Sequence, residues 1–203
     1  MPRMRILVSI IIVTLLPLAA SQALAGPRDH ADGFFLRLSA GGGSASSEIS
    51  GGGDKLKLSG TAGDVDIAIG AIVAPNLALH GTLLGWSISD PDAEFNGADV
   101  GTADGDLTAA GFGAGLTYYV MPANIYLTGT IGSGSLEFDA GNLSGETDNG
   151  LILGFGIGKE WWVSDGWALG AAFGLTHHSF NDPDVDEPWS GTSYTLRFTA
   201  TMN

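Results

Sequence analysis

The sequence predicts an all-β chain: an eight-stranded antiparallel up-and-down transmembrane β-barrel, preceded by a cleaved signal peptide. Three observations predict it. About eight segments alternate apolar residues with small or polar ones at the period of a strand. Their connections switch between very short turns and long acidic loops. Tyr118–Ile125 and Trp161–Trp167 are short turns flanked by aromatics, whereas Gly42–Ala62, Asp90–Asp106, Asp139–Asn149 and Asn181–Pro188 are long and polar. Aromatic residues gather toward the ends of the segments, where a membrane barrel meets its two interfaces.

The chain starts with a leader. Arg3 and Arg5 supply a positive start, Ile6–Ala20 is an apolar run, and Ala23-Leu24-Ala25 offers small residues for cleavage. Residues 1–25 are therefore expected to be a signal peptide. Residues 26–32 are expected to be a short periplasmic lead, and 33–203 the outer-membrane barrel.

In each segment one parity is expected to meet lipid and the other the interior. Gly33–Gly41 sets Phe34, Leu36, Leu38 and Ala40 outward, with Arg37 and Ser39 inward. Asp64–Val73 sets Val65, Ile67, Ile69, Ala71 and Val73 outward and Asp66 inward. Leu77–Ser89 is the least regular, because Leu83 and Leu84 are adjacent. Leu77, Leu79 and Leu83 are expected outward, with His80, Thr82 and Trp86 inward. Leu107–Val120 alternates Phe112, Ala114, Leu116 and Tyr118 with Gly111, Gly113, Gly115, Thr117 and Tyr119. Ile125–Phe138 alternates Ile125, Leu127 and Ile131 with Tyr126, Thr128 and Thr130. Gly150–Trp161 sets Leu151, Leu153, Phe155 and Ile157 against Ile152, Gly154, Gly156, Gly158 and Glu160. Trp167–His178 sets Trp167, Leu169, Ala171, Phe173 and Leu175 outward. The last strand sets Tyr194, Leu196, Phe198, Ala200 and Met202 against Ser193, Thr195, Arg197, Thr199 and Thr201. The face opposite the apolar one is mostly Gly and Thr, thin filling for the core of a soluble barrel.

An even number of strands puts both chain ends on one side. The short turns Ala74-Pro75-Asn76, Met121–Asn124 and Val163–Gly166 are expected in the periplasm, with the long loops projecting outward. On this topology Phe34, Phe35, Tyr118, Tyr119, Tyr126, Trp161, Trp162 and Trp167 band at the periplasmic rim. Trp86, Phe138, Phe180 and Trp189 band at the outer rim.

Charges inside strands are few. Arginine on the lipid face near the midplane costs about 2–4 kcal/mol, and Arg37 and Arg197 both have interior parity. With Glu160, and His80 adding to the layer, they are expected to form a buried polar cluster, because desolvated guanidinium groups require carboxylate or hydroxyl partners. The Gly runs at 111/113/115 and 154/156/158 leave room for such long side chains. A structural plug is the simplest role for this cluster; gating is the alternative.

The loops carry a second candidate. Asp90, Asp92, Glu94, Asp104 and Asp106 lie in one loop and Asp182, Asp184 and Asp186 in another. Alternating carboxylates suit a hard cation, but neither run has the spacing of a calcium hand. A solvated acidic rim is the simpler reading, and no metal ligand set or cofactor is assigned. No nucleophile elbow or zinc-protease helix motif occurs, and His177 and His178, being adjacent, point to opposite faces. The composition is acidic, with a net charge of −14 that removal of Arg3 and Arg5 makes more negative. Nucleic acid is therefore excluded as a partner. Cysteine is absent, which excludes disulfides and thiol chemistry.

GLTYYVMPANIYL (Gly115–Leu127), GIGKEWWVSDGWALG (Gly156–Gly170) and the terminal alternating strand resemble the small eight-stranded outer-membrane barrels of the OmpA/OmpX type. The resemblance spans Gly33–Asn203 and concerns architecture more than activity. It implies integral insertion in a Gram-negative outer membrane, with lipid, lipopolysaccharide and the barrel-assembly machinery as partners. Members usually end on an aromatic residue; this chain ends Thr201-Met202-Asn203, and Phe198 is its last aromatic. The expected function is a non-enzymatic barrel displaying acidic extracellular loops to a partner the sequence does not name. A narrow channel for small solutes and a membrane-embedded lipid-modifying enzyme are the alternatives.

Overall fold

The computed structural model describes residues 30–140, 144–182 and 187–202; the proposed leader lies outside them. Among the described residues the chain forms strands β1 (Gly33–Gly51), β2 (Asp54–Ala74), β3 (Leu77–Ser89), β4 (Asp92–Phe95), β5 (Ala98–Thr102), β6 (Asp106–Val120), β7 (Ile125–Asp139), β8 (Ser144–Glu146), β9 (Gly150–Trp162), β10 (Trp167–Phe180) and β11 (Trp189–Met202). β1, β2, β3, β6, β7, β9, β10 and β11 form an antiparallel ring in chain order, and β1 closes it by pairing with both β2 and β11. Closure leaves this ring no unpaired edge, the condition for strands to cross hydrocarbon.

Alternation places the side chains as expected. On the outer surface Val65, Leu83, Phe112, Ile131, Phe155, Leu196 and Phe198 are exposed, Phe198 to 81%. An apolar belt of this extent around a sealed sheet is a lipid-facing surface. Inward residues of the same strands are buried: Ala68, Ala109, Thr117 and Ile152 are wholly covered. The irregular strand β3 follows the rule too, with Leu79 and Leu83 exposed and His80, Thr82, Leu84 and Trp86 buried.

Three sequence expectations are corrected. Gly42–Ala62 is not a loop. β1 and β2 stay in register from Gly33↔Ile72 to Gly51↔Asp54 and turn at Gly52-Gly53, whose φ angles of 62° and 96° suit glycine and match the twist of a tight hairpin. Likewise Asp90–Asp106 contains the hairpin β4–β5, turning at Asn96-Gly97, and β4 pairs with the upper part of β2 from Leu56↔Phe95 to Ser59↔Asp92. In Asp139–Asn149, β8 pairs with the end of β7.

The second correction concerns the interior. It is not thinly filled throughout. Toward the long-loop end, Leu58, Leu84, Trp86, Ile88, Leu107, Leu136, Ile152 and Phe180 form a buried apolar cluster. The third follows from it. Trp86 and Phe180 do not band at a lipid interface; interior parity puts them inside the barrel, with Phe138 and Trp189 packed against them. At the short-turn end the aromatics divide. Phe34, Tyr118 and Trp161 are about half exposed on the outer surface, whereas Phe35, Tyr119 and Tyr126 are buried inside.

Candidate functional site

Toward the short-turn end the lumen holds a charged and hydroxylated network. All of the residues expected there are inside, and Arg197 finds its carboxylate in Asp64, which the expected cluster did not include. Arg197 does not pair with Glu160. Its Nε and Nη2 grip the carboxylate of Asp64, the Nη2 bond being 2.8 Å, and Asp66 lies 3.9 Å from Nη1. Register explains the choice: Gly41 sits directly between Arg197 on β11 and Asp64 on β2, so no side chain separates the two. The guanidinium also occupies the space a side chain at Gly174 would need. Asp64 was missed as a partner because it sits at the predicted start of its strand, where its interior parity is easily overlooked.

Arg37 is held differently. Its guanidinium lies 4.5 Å from the centre of the Tyr126 ring, and Nη2 donates to Thr128 Oγ1 at 3.1 Å. A cation over an aromatic face is stabilised by the ring without a direct carboxylate. Thr128 Oγ1 also accepts from Thr117 at 2.9 Å and donates to the Leu116 carbonyl at 3.2 Å, which uses its whole bonding capacity. Thr117 has spent its proton on Thr128, so the 3.0 Å bond to His80 must be donated by His80 Nε2. His80 Nδ1 meets Thr82 Oγ1 at 2.8 Å. His80 thus joins Arg37 through two hydroxyls, and a side chain at Gly115 would strike its ring. Glu160 accepts from Thr201 Oγ1 at 2.6 Å and is buried.

The mouth at the short-turn end is occupied by His30, three residues before β1. His30 is fully buried, stacks on Tyr119 at 3.6 Å between ring centres, and bonds Asn124 Oδ1 through Nε2 at 2.9 Å. Its carbonyl accepts from the Asn76 amide at 2.7 Å. His30, in the stretch expected to be a short periplasmic lead, thus ties two turns together. Nothing in the local composition signals this, because both partners are distant in sequence.

The loop carboxylates do not converge. Asp106 accepts from Ser89, Asp90 from the Gly105 amide and Asp182 from Trp189 Nε1. Glu94 faces Lys57 at 3.5 Å, and Asp92 and Asp104 are exposed. Among the described residues no three acidic or histidine side chains are grouped as a metal site requires. Asp184 and Asp186 lie outside the described residues. At the same end, the lumen widens into a cavity of about 430 Å³ walled by Leu56, Leu58, Leu107, Leu136, Phe138 and Trp189. The sequence does not show this cavity, because its walls include the upper parts of strands whose Gly-rich composition resembles a loop.

A closed ring with an apolar outside and a filled inside defines a transmembrane β-barrel. The sequence matches the family described as "Outer membrane protein beta-barrel domain" over residues 11–198, and the chain belongs to that family, making it an integral outer-membrane protein. No curated protein sequence matches it. Among solved structures it is similar to Neisserial surface protein A, at 15% identity and a TM-score of 0.52, covering 85% of this chain and 98% of that one. The attachment invasion locus protein Ail of Yersinia pestis matches at 15% identity and a TM-score of 0.41, over 82% and 97% of the two chains. The outer membrane protease OmpT of Escherichia coli matches at 9% identity and a TM-score of 0.43, over 87% and 97%. These likenesses concern the fold alone.

Proposed function

We propose that this protein is a closed, non-enzymatic barrel that carries acidic loops at the cell surface, with its short turns and chain ends in the periplasm. One observation carries the reading: the lumen is blocked at successive levels. His30 and Tyr119 fill the short-turn mouth, the Arg37 and Arg197 networks fill the middle, and Trp86, Ile152 and Phe180 pack in the apolar cluster of the other half, nearly all of these side chains being at most a few per cent exposed. An eight-stranded barrel has an interior just wide enough for side chains, so a filled one conducts nothing. The upper β1–β2 hairpin and the β4–β5 hairpin then extend the sheet past the ring as a platform for recognition.

The enzymatic alternative has little support. His178 Nε2 does meet Ser47 Oγ at 2.9 Å, but both residues are fully buried, with His178 packed against Trp86 and Phe180. A nucleophile must reach its substrate.

Planar-bilayer recording of the purified protein is expected to show no stepwise conductance, and stable steps would overturn the closed-barrel reading. Protease added to intact cells is expected to cut within the long loops. Protection of those loops, with cleavage only after the envelope is opened, would reverse the orientation.

A further inference from the structure

The cavity at the long-loop end has a chemistry of its own. Its wall continues the apolar half of the lumen: Leu58, Leu107 and Leu136 form its buried floor, and Ala93 and Ala103 from the β4–β5 region complete one side. At about 430 Å³ it falls within the size range of small-molecule sites. The residues at its polar edge are Glu146, Thr147 and Asp182, and among the described residues no basic one lines it. Trp189 spans the two regions, its ring on the wall and its Nε1 donating to Asp182 at 2.9 Å. That bond fixes one carboxylate beside an apolar chamber.

We propose that this chamber binds a small cationic amphiphile, an amine on an apolar aryl or alkyl body, with the body among Leu58, Leu107, Leu136 and Trp189 and the ammonium at Glu146 and Asp182. Burial of the body supplies the affinity. The carboxylates select the head group, because a carboxylate ligand would be brought against like charge at Glu146, which is exposed and accepts from Ser135 at 3.1 Å, and at the half-buried Asp182. The site goes beyond loop display and is the same whichever way the barrel faces.

The test uses the full barrel in lipid nanodiscs and isothermal titration with 4-phenylbutylamine, 4-phenylbutanol and 4-phenylbutyrate, with heats from empty nanodiscs subtracted. The amine is expected to bind saturably at one site, at least tenfold tighter than the carboxylate. Ala103→Trp, or Ala93→Phe should the first variant fail to fold by heat-modifiable gel migration, is expected to fill the chamber and abolish binding. Glu146→Gln with Asp182→Asn is expected to bring the amine down to the affinity of the alcohol. Absence of saturable amine binding, equal binding of the carboxylate, binding that survives the filled chamber, or an amine preference that survives loss of both carboxylates would each overturn the assignment. None of these results touches the closed-barrel reading, which conductance tests separately.

Discussion

The two halves of the lumen share one ring of strands but solve its filling in opposite ways. Toward the short turns, Arg37, Arg197, Asp64, Asp66, Glu160 and His80 occupy interior positions, each held by an ion pair, a ring face or a hydroxyl. Toward the long loops, the same parity carries Trp86, Ile88, Leu107, Leu136, Ile152 and Phe180, which pack as the core of a soluble protein would. Lipid surrounds the ring, so apolar burial need not happen inside; the lumen is free to be polar where specific pairing sets strand register and apolar where bulk alone is needed. The polar half is specified by partners, so removal of one leaves the other buried and uncompensated. The apolar half is specified by volume and therefore has room to open into a chamber.

Substitutions sharpen that contrast. The largest loss is expected from Phe180→Ala in the apolar half, about 4 kcal/mol from a truncated, fully buried ring, read by urea unfolding in lipid vesicles. Next comes Asp64→Ala, which strands the Arg197 guanidinium and is expected to cost about 3 kcal/mol, with Asp66 softening the loss. Replacing both partners, Asp64→Leu with Arg197→Leu, is expected to recover most of that loss. If the double variant is no more stable than Asp64→Ala, the polar half is not governed by pairing. His30→Ala is expected to cost about 1–2 kcal/mol through the lost bond to Asn124 and the lost stack on Tyr119, without opening a conductance, since the Arg37 and Arg197 levels remain. The smallest effect belongs to the partly exposed Lys57–Glu94 pair. Glu94→Gln is expected to change stability by no more than about 0.5 kcal/mol, and a larger loss would mean that the β4 platform is part of the folding unit rather than an addition to it.

Strand parity was legible because a strand's period of two writes itself directly into the order of residues, and Leu107–Val120 carries it without a fault. Even Leu83-Leu84 resolved once His80, Thr82 and Trp86 were placed inward. What misled was glycine. Gly42, Gly43, Gly51, Gly52, Gly53 and Gly60 read as a loop, although only Gly52 and Gly53 turn the chain. The pair Asn96-Gly97 is a hairpin signal already present in the sequence, inside a stretch whose acidic composition reads as loop. Ion pairing was harder to read in kind. That Arg197 reaches Asp64 across Gly41 depends on the stagger of β1 against β11, and stagger is a property of the closed ring rather than of any one segment. The cavity was hidden for the same reason, since its walls come from strands far apart in sequence.

Because the chain has no cysteine, a single reporter tests the solvent on the outer face most directly. Phe198→Cys, labelled with an environment-sensitive fluorophore in vesicles, places the probe on the most exposed apolar position of β11. Val100→Cys on β5 places a reference on the long-loop platform. The probe at position 198 is expected to be quenched by brominated lipid chains and spared by aqueous acrylamide, and the probe at position 100 the reverse. Acrylamide quenching at 198 equal to that at 100, with no effect of brominated lipid, would contradict a hydrocarbon-facing barrel.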